Sequence, residues 1–356
     1  VLNNLFSKKM PVMLGLDIGT RSVKGVLLNS VGGQVQIVAH ACESIAGNAF
    51  ADREIKDFDA VSNAIRKVKM SLKSKCKTVA AAVSGSSVIT KVVFMDPDQS
   101  DHELETQIEI EADSLIPYPL DEVYLDFEEL GPSKLHQGKV DVLLSAAHRD
   151  MLDSRVTLLR ELELEPKVID VEGYALGTAL LQYGPAVEED VPLCCINLGA
   201  SQLLLTVIEN SQVIYSKEHA FGMDTLVRDL ALVYGIELAE AERQLMDNSL
   251  PDGWRQQNGA MFLANLQQQI SRSLQMYVAS TGRQRPQTLL ISGGGANLPG
   301  IATDLEQELS MEVKIFNPFD TMQNKDSKGE SELNRLAPQL AIAVGLAHRS
   351  FTPWHI

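Results

Sequence analysis

The residues best suited to chemistry lie in one stretch, Leu14 to Leu28, which reads Leu-Gly-Leu-Asp-Ile-Gly-Thr-Arg-Ser-Val-Lys-Gly-Val-Leu-Leu. An apolar run holding Leu14 and Leu16 ends on an acid, Asp17. Gly19 lets the backbone reverse, and Val23, Val26, Leu27 and Leu28 resume the apolar pattern. The tip of such a hairpin collects the backbone N–H groups of Thr20, Arg21 and Ser22 and the hydroxyls of Thr20 and Ser22, and Lys24 adds a cation. It can hold a phosphate chain while Asp17 faces a metal ion through water. The motif is short, and an ordinary charged hairpin shares it.

The same pattern recurs from Leu193 to Ile208: an apolar strand, Asn197 in place of the acid, Gly199-Ala200-Ser201 as the turn, and a second apolar strand. A duplicated hairpin is far more specific than one copy. Two similar α/β halves facing each other across a cleft would bring both turns onto one ligand. Further on, Thr288–Ser292 runs into Gly293-Gly294-Gly295-Ala296. Backbone without a Cβ can lie there against a flat ring.

The elements that position these residues follow from periodicity. Gln34–Ala41, Val79–Ser84 and Val88–Met95 read as strands, and Asp59–Leu72 as a helix with Val61, Ile65, Val68 and Leu72 on one stripe. Ser100 and Glu103 predict a capping box for a helix whose apolar stripe is Leu104, Ile108, Ala112 and Leu115, ended by Pro117 and Pro119. Strands at Leu125–Leu130 and Val140–Ala147 and a helix at Met151–Leu162 complete an expected insertion over 96–166. Residues 1–95 and 167–190 then form the first lobe. Lys167–Val171 resumes the strand pattern, and Glu172–Tyr183 forms a helix. Residues 191–335 form the second lobe, with strand Gln212–His219 and helices Gly222–Val233, Leu238–Met246 and Gln257–Ser280. Gln323–Arg335 reads as a flexible loop. Residues 336–356 hold an apolar, alanine-rich final helix, Leu340–Ala347. The fold class is α/β.

Composition bounds the partners. Of 356 residues 45% are hydrophobic, which is ample for more than one domain. Thirty-one Lys and Arg against 47 Asp and Glu leave a net charge of −16, which argues against nucleic acid as the main partner. The basic run from Arg66 to Lys77 reads as a solvated helix face, and so does the acidic face of the helix after Ser100. Cys194 and Cys195 are adjacent in an apolar strand and point to opposite faces as small buried hydrophobes. Neither the four cysteines nor the seven histidines show metal-ligand spacing, and a reduced, cytosolic compartment fits. The first nine residues carry no signal-peptide core, and no apolar run approaches ~20 residues.

Together, Gly15–Leu28, Leu193–Val207 and Leu289–Ala296 resemble the two phosphate segments and the adenosine segment of the actin-like ATPases. Asp170–Leu181 and Leu340–Ala347 occupy the places of the group's connecting helices. Within it the chain is most similar to the PilM family of type IV pilus assembly proteins. The similarity rests on Gln107–Asp113 with Ile116-Pro117-Tyr118-Pro119, on Val140–Leu144, on Val168–Leu176 and on Phe316-Asn317-Pro318-Phe319. It covers nearly the whole chain. FtsA is a near relative whose members usually end in a membrane-binding amphipathic helix. The Pro-broken end of this chain, Arg349–Ile356, does not resemble one.

The resemblance implies a two-lobed actin-like fold with an inserted FtsA/PilM-type α/β subdomain, and ATP with Mg²⁺ in the central cleft. It assigns nucleotide contacts to Asp17, Gly19, Thr20, Arg21, Ser22, Lys24, Asn197, Gly199, Ala200, Ser201, Gly293, Gly294, Gly295 and Ala296. Asp17 would face the magnesium through water, and Glu242, in an Ala-Glu pair, would face the ribose. Asp17 and Asp170 are the catalytic candidates. Two departures weaken hydrolysis: Asn197 stands where relatives carry Asp, and Leu245 where they carry Lys. The implied partner is the N-terminal cytosolic tail of PilN, docked in a groove beside the inserted domain. That partner would hold the protein at the inner membrane, with a pilus motor ATPase and a second copy of the chain as further contacts. A sugar-type kinase with Asp170 or Asp224 as base, and an FtsA-like division filament, are the alternatives.

Overall fold

The computed structural model describes residues 12–51, 53–85, 88–133, 136–322 and 330–352. The expectations for residues 1–9, for 323–329 and for the last four residues lie outside them. The chain divides into two compact units. One holds residues up to 50, 55–82 and 165 onward; the other holds 51–54 and 83–164.

In chain order, the first unit starts with β1 (Leu14–Ile18), β2 (Ser22–Val31) and β3 (Gln34–Ser44). The short strands β4 (Phe50–Ala51) and β5 (Glu54–Ile55) precede α1 (Phe58–Leu72) and β6 (Thr78–Val83). The second unit contains β7 (Val88–Met95), α2 (Asp101–Leu115), β8 (Val123–Pro132), β9 (Val140–His148) and α3 (Arg149–Glu161). The first unit resumes with β10 (Glu165–Val171), α4 (Glu172–Tyr183), β11 (Leu193–Leu198), β12 (Leu203–Glu209) and β13 (Gln212–His219). Helices α5 (Met223–Tyr234), α6 (Leu238–Met246) and α7 (Ala260–Thr281) follow, then β14 (Thr288–Ser292), α8 (Ile301–Leu309) and β15 (Glu312–Ile315). The chain closes with α9 (Glu330–Leu336) and α10 (Ala341–His348).

The first unit repeats one path twice. Its sheets run β10-β6-β1-β2-β3 and β15-β14-β11-β12-β13. In each, an antiparallel hairpin leads into a third strand, and a later strand pairs parallel to the first, β6 on β1 and β14 on β11. Between the sheets, α4 packs on β12 and β13, α10 packs on β1 and β2, and the two helices pack on each other. This layer shares one apolar core of Val26, Leu28, Leu176, Leu180, Leu204, Ile342 and their neighbours. Close approach is built in: a Cβ on Gly345 of α10 would collide with the Ala175 carbonyl oxygen of α4. The adjacent cysteines behave as strand alternation requires. Cys194 joins the outer core of the second half and Cys195 the inter-sheet core, both fully buried. Burial raises both thiol pKa values, that of Cys195 to about 12.

The second unit is a three-stranded sheet, β7-β9-β8, with α2 on one face. The capping box forms, with Ser100 N–H donating to Glu103 Oε2 at 3.0 Å. Leu104, Ile108 and Ala112 are buried in its core, with Leu115 at the margin. The expected boundary at 95/96 is corrected here. Strand β7 pairs with β9 along its whole length, Val88 opposite Ala147 through Met95 opposite Val140, so the unit resumes at Val83. Hydropathy shows that 88–95 is a strand but not which sheet receives it. The loop expected over 323–335 is also corrected where it is described: residues 330–336 form α9, with Leu333 buried against the inter-sheet core.

Candidate functional site

The first hairpin turn is built by register. Strands β1 and β2 place Asp17 opposite Lys24, and Lys24 Nζ donates to Asp17 Oδ2 at 3.1 Å. Their side chains are 6% and 15% exposed, so this is a nearly buried ion pair. The turn closes through the Gly19 N–H, which donates to the Ser22 carbonyl at 3.1 Å. Burial works to lower the Lys24 pKa, but the charges of Asp17, Cys42 and Glu172 and the Asp17 hydrogen bond outweigh it and hold the ammonium above the ordinary lysine value. Glu172, the first residue of α4, is itself buried. It brings a second carboxylate near Lys24.

The second turn has the same closure: the Gly199 N–H donates to the Gln202 carbonyl at 2.9 Å. Superposing the two glycines puts Asn197 where Asp17 stands and Leu204 where Lys24 stands; these two face each other across β11 and β12. The charged pair of the first hairpin is thus an uncharged pair in the second. Asn197 Oδ1 accepts from the Ser292 hydroxyl at 3.3 Å, and that hydroxyl also reaches the Ile196 carbonyl at 3.1 Å. Gly293 follows at φ 84°, its N–H bonded to the Pro338 carbonyl at 2.7 Å, and a Cβ there would lie 2.9 Å from Asn197 Oδ1. Only glycine meets both conditions. Gly294–Asn297 then forms a 3₁₀ turn in which Gly295 and Ala296 are buried.

The structure brings the two turns together. Thr20 Oγ1 lies 3.2 Å from Ser201 Oγ. Arg21 pairs with Asp224, the second residue of α5, with Nε and Nη2 each 3.0 Å from Oδ1. The start of α5 is fixed to the second turn by the Met223 and Asp224 N–H groups, which donate to the Gly199 and Ala200 carbonyls at 3.0 and 2.8 Å.

Two expected residues stand apart. Asp170 is held by Arg349, whose Nε is 2.9 Å from Oδ2, and its side chain is 8% exposed. A carboxylate locked in that pair is poorly placed to take a proton from a substrate hydroxyl. Glu242 is half-buried on α6, while Ala241 and Leu245 beside it belong to the outer core of the second half. Leu245 therefore packs in that core.

The donor set suits a polyphosphate better than a chelated metal. Among the described residues no group of three His, Cys, Asp or Glu could hold a metal ion. The Gln202 side chain is buried beside the second turn, and its Nε2 has no hydrogen-bond partner. By alternation it shares the strand face of Leu204 in the inter-sheet layer. A buried orphan donor there matches an anionic oxygen. Glu172, Gln202 and Asp224 were not assigned to the site by the turn motifs. Gln202, directly after the second turn, was within reach of motif reading; the other two arrive through long-range topology.

Two repeated halves joined by a pair of packed helices, with matched turns facing each other, define a two-lobed actin-like fold carrying an inserted α/β subdomain. Solved structures agree on this class. The ethanolamine utilization protein EutJ from Carboxydothermus hydrogenoformans is 16% identical with a TM-score of 0.54, over 97% of this chain and 94% of that chain. MreB 5 of Spiroplasma citri bound to AMPPNP is 12% identical with a TM-score of 0.51, over 94% of each chain. At the level of family, residues 15–351 match the type IV pilus assembly protein PilM, and the chain belongs to that family. It is also similar to the PilM-PilN type IV pilus biogenesis complex, with a TM-score of 0.84 and 25% identity over 96% of this chain and 99% of that chain.

Proposed function

We propose that this chain is a nucleotide-binding scaffold of a type IV pilus inner-membrane assembly platform. It docks the N-terminal cytosolic tail of PilN and through it sits at the membrane surface, with the pilus motor as a further contact. The observation that carries this reading is the near full-length likeness to the PilM-PilN complex. Among the described residues no helix is long and apolar enough to cross a membrane, in keeping with recruitment through a partner. In the second unit, β7 and β8 are the two edges of the sheet, and an extended tail can add to such an edge or lie under α2.

ATP with Mg²⁺ would supply a polyphosphate whose charge the two turns can share. Lys24 and the amide of Gln202 are the side-chain donors for it, the turn N–H groups of residues 20–22 and 200–201 add to them, and Asp17 would face the metal through water, while the Arg21 guanidinium is held by Asp224. The 293–296 turn would take the base and Glu242 the ribose. With Asn197 uncharged, the site favours holding nucleotide as a structural ligand with slow turnover. A sugar-kinase reading loses ground because Asp170 and Asp224 are both ion-paired.

Calorimetric titration of the purified chain with a peptide of the cognate PilN tail tests the scaffold role. Saturable one-to-one binding is expected, lost when the second unit is removed. Absence of binding to the intact chain would overturn it.

A further inference from the structure

We infer that Arg21 and Asp224 form a latch that ties the two turns together and gates the cleft between the halves of the first unit. Each partner is anchored to its own turn by backbone. Arg21 lies within the first turn and its carbonyl accepts the Ile45 N–H at 2.9 Å; Asp224 sits on α5, whose first N–H groups bond the carbonyls of Gly199 and Ala200. The ion pair therefore links two structured turns rather than two loose side chains. Arg21 Nε donates to Asp224 Oδ1 at 3.0 Å, and Nη2 approaches the same oxygen at 3.0 Å.

The Thr20–Ser201 hydroxyl contact lies one residue from Arg21 and crosses the same gap. The halves are also joined through the α4 and α10 layer, which is an apolar core. Opening at the turns breaks polar contacts that water can replace, whereas opening at the helices would expose apolar surface. The layer is thus the hinge and the turns are the gate. The latch pair is wet enough to exchange: its side chains are 31% and 21% exposed, against 15% and 6% for the Lys24–Asp17 pair. Asp224 is a positioning residue here, acting through Arg21.

The pair is half-buried and water-accessible, and at the strength of a surface ion pair it shifts an opening equilibrium by about 1.4- to 5-fold. The consequence for nucleotide rests on the proposed site; the consequence for the free protein does not, and the test separates them. Hydrogen–deuterium exchange is followed in nucleotide-free protein over peptides covering 17–24 and 197–203. Exchange in the wild type should quicken by that factor at about 1 M NaCl, where the screening length is about 3 Å. Asp224→Asn should exchange faster than wild type at low salt and respond little to salt, and Asp224→Glu should behave as wild type. Release of a fluorescent ATP analogue should speed by the same factor in Asp224→Asn. Equal exchange in wild type and Asp224→Asn at both salts would overturn the latch. Slower analogue release with faster exchange would overturn its role as a gate. If the wild type binds no analogue, the nucleotide site fails, and the exchange data alone decide the latch.

Discussion

Replacing Lys24 by Met is the sharpest test of the charge balance in the first turn. The perturbation removes the cation of a pair whose side chains are 15% and 6% exposed and leaves Asp17 in place. Removing one partner of a buried pair costs about 3–5 kcal/mol, because the remaining charge is neither hydrated nor paired. Glu172 adds to this, since its charge also acts on Lys24. At roughly 2–4 °C per kcal/mol for a domain of comparable size, the melting temperature should fall by about 6–20 °C. The double variant Asp17→Asn/Lys24→Met, which removes both charges, should recover most of that loss. The pH dependence has a defined sign. The folded-state pKa of Lys24 is raised, so its stabilising contribution is complete below the unfolded value of about 10.4 and is lost as pH climbs through the folded one. The difference between wild type and Lys24→Met should therefore shrink above that pH. Thermal melts across pH, with the double-mutant cycle, measure all three effects. A single variant within about 1 kcal/mol of wild type, or a double variant no better than the single, would show that Lys24 and Asp17 do not stabilise each other as a buried pair.

Other expectations follow from the same geometry. Asn197→Asp restores a carboxylate beside the Ser292 hydroxyl and should raise phosphate release in a malachite-green assay; rapid release by the wild type that Asn197→Asp slows would contradict it. Gly345→Ala forces its Cβ against the Ala175 carbonyl and should destabilise by about 1–3 kcal/mol in chemical denaturation. His348 Nδ1 lies 2.7 Å from the Tyr183 hydroxyl, and burial, with Arg349 beside it, lowers the pKa of His348 to about 4. The folded state excludes a proton that the unfolded chain binds below about 6.5, so acidification from there toward 4 should cost stability; His348→Gln should flatten that part of the melting profile.

What could be read from the sequence was local. The two hairpins, the Ser100–Glu103 cap and the opposite facing of Cys194 and Cys195 depend on neighbours a few residues away, and period and turn chemistry carry them. The repeat of the hairpin also predicted two matched halves. What escaped was set by partners far along the chain. Strand β7 belongs with β9 because Val88–Met95 finds its ladder more than 40 residues later, and a deletion starting at 98 would leave it unpaired. Asp170 read as a free acid because Arg349 lies 179 positions away, and Asp224 as a possible base because Arg21 lies 203 positions away. Glu172 opens a helix whose hydropathy explains it fully; only the fold brings it to Lys24.

On the proposed function the paired turns form one nucleotide site with Asp17 at its metal side. Titration calorimetry of Mg–ATP into the wild type and into Asp17→Ala, each repeated with EDTA, tests it most directly. The wild type should bind one equivalent in the presence of magnesium. Asp17→Ala should bind markedly more weakly with magnesium, and the gap should narrow in EDTA, where no ion is left for the carboxylate to face. Equal affinity of the two proteins for Mg–ATP, or no binding by the wild type, would contradict the claim.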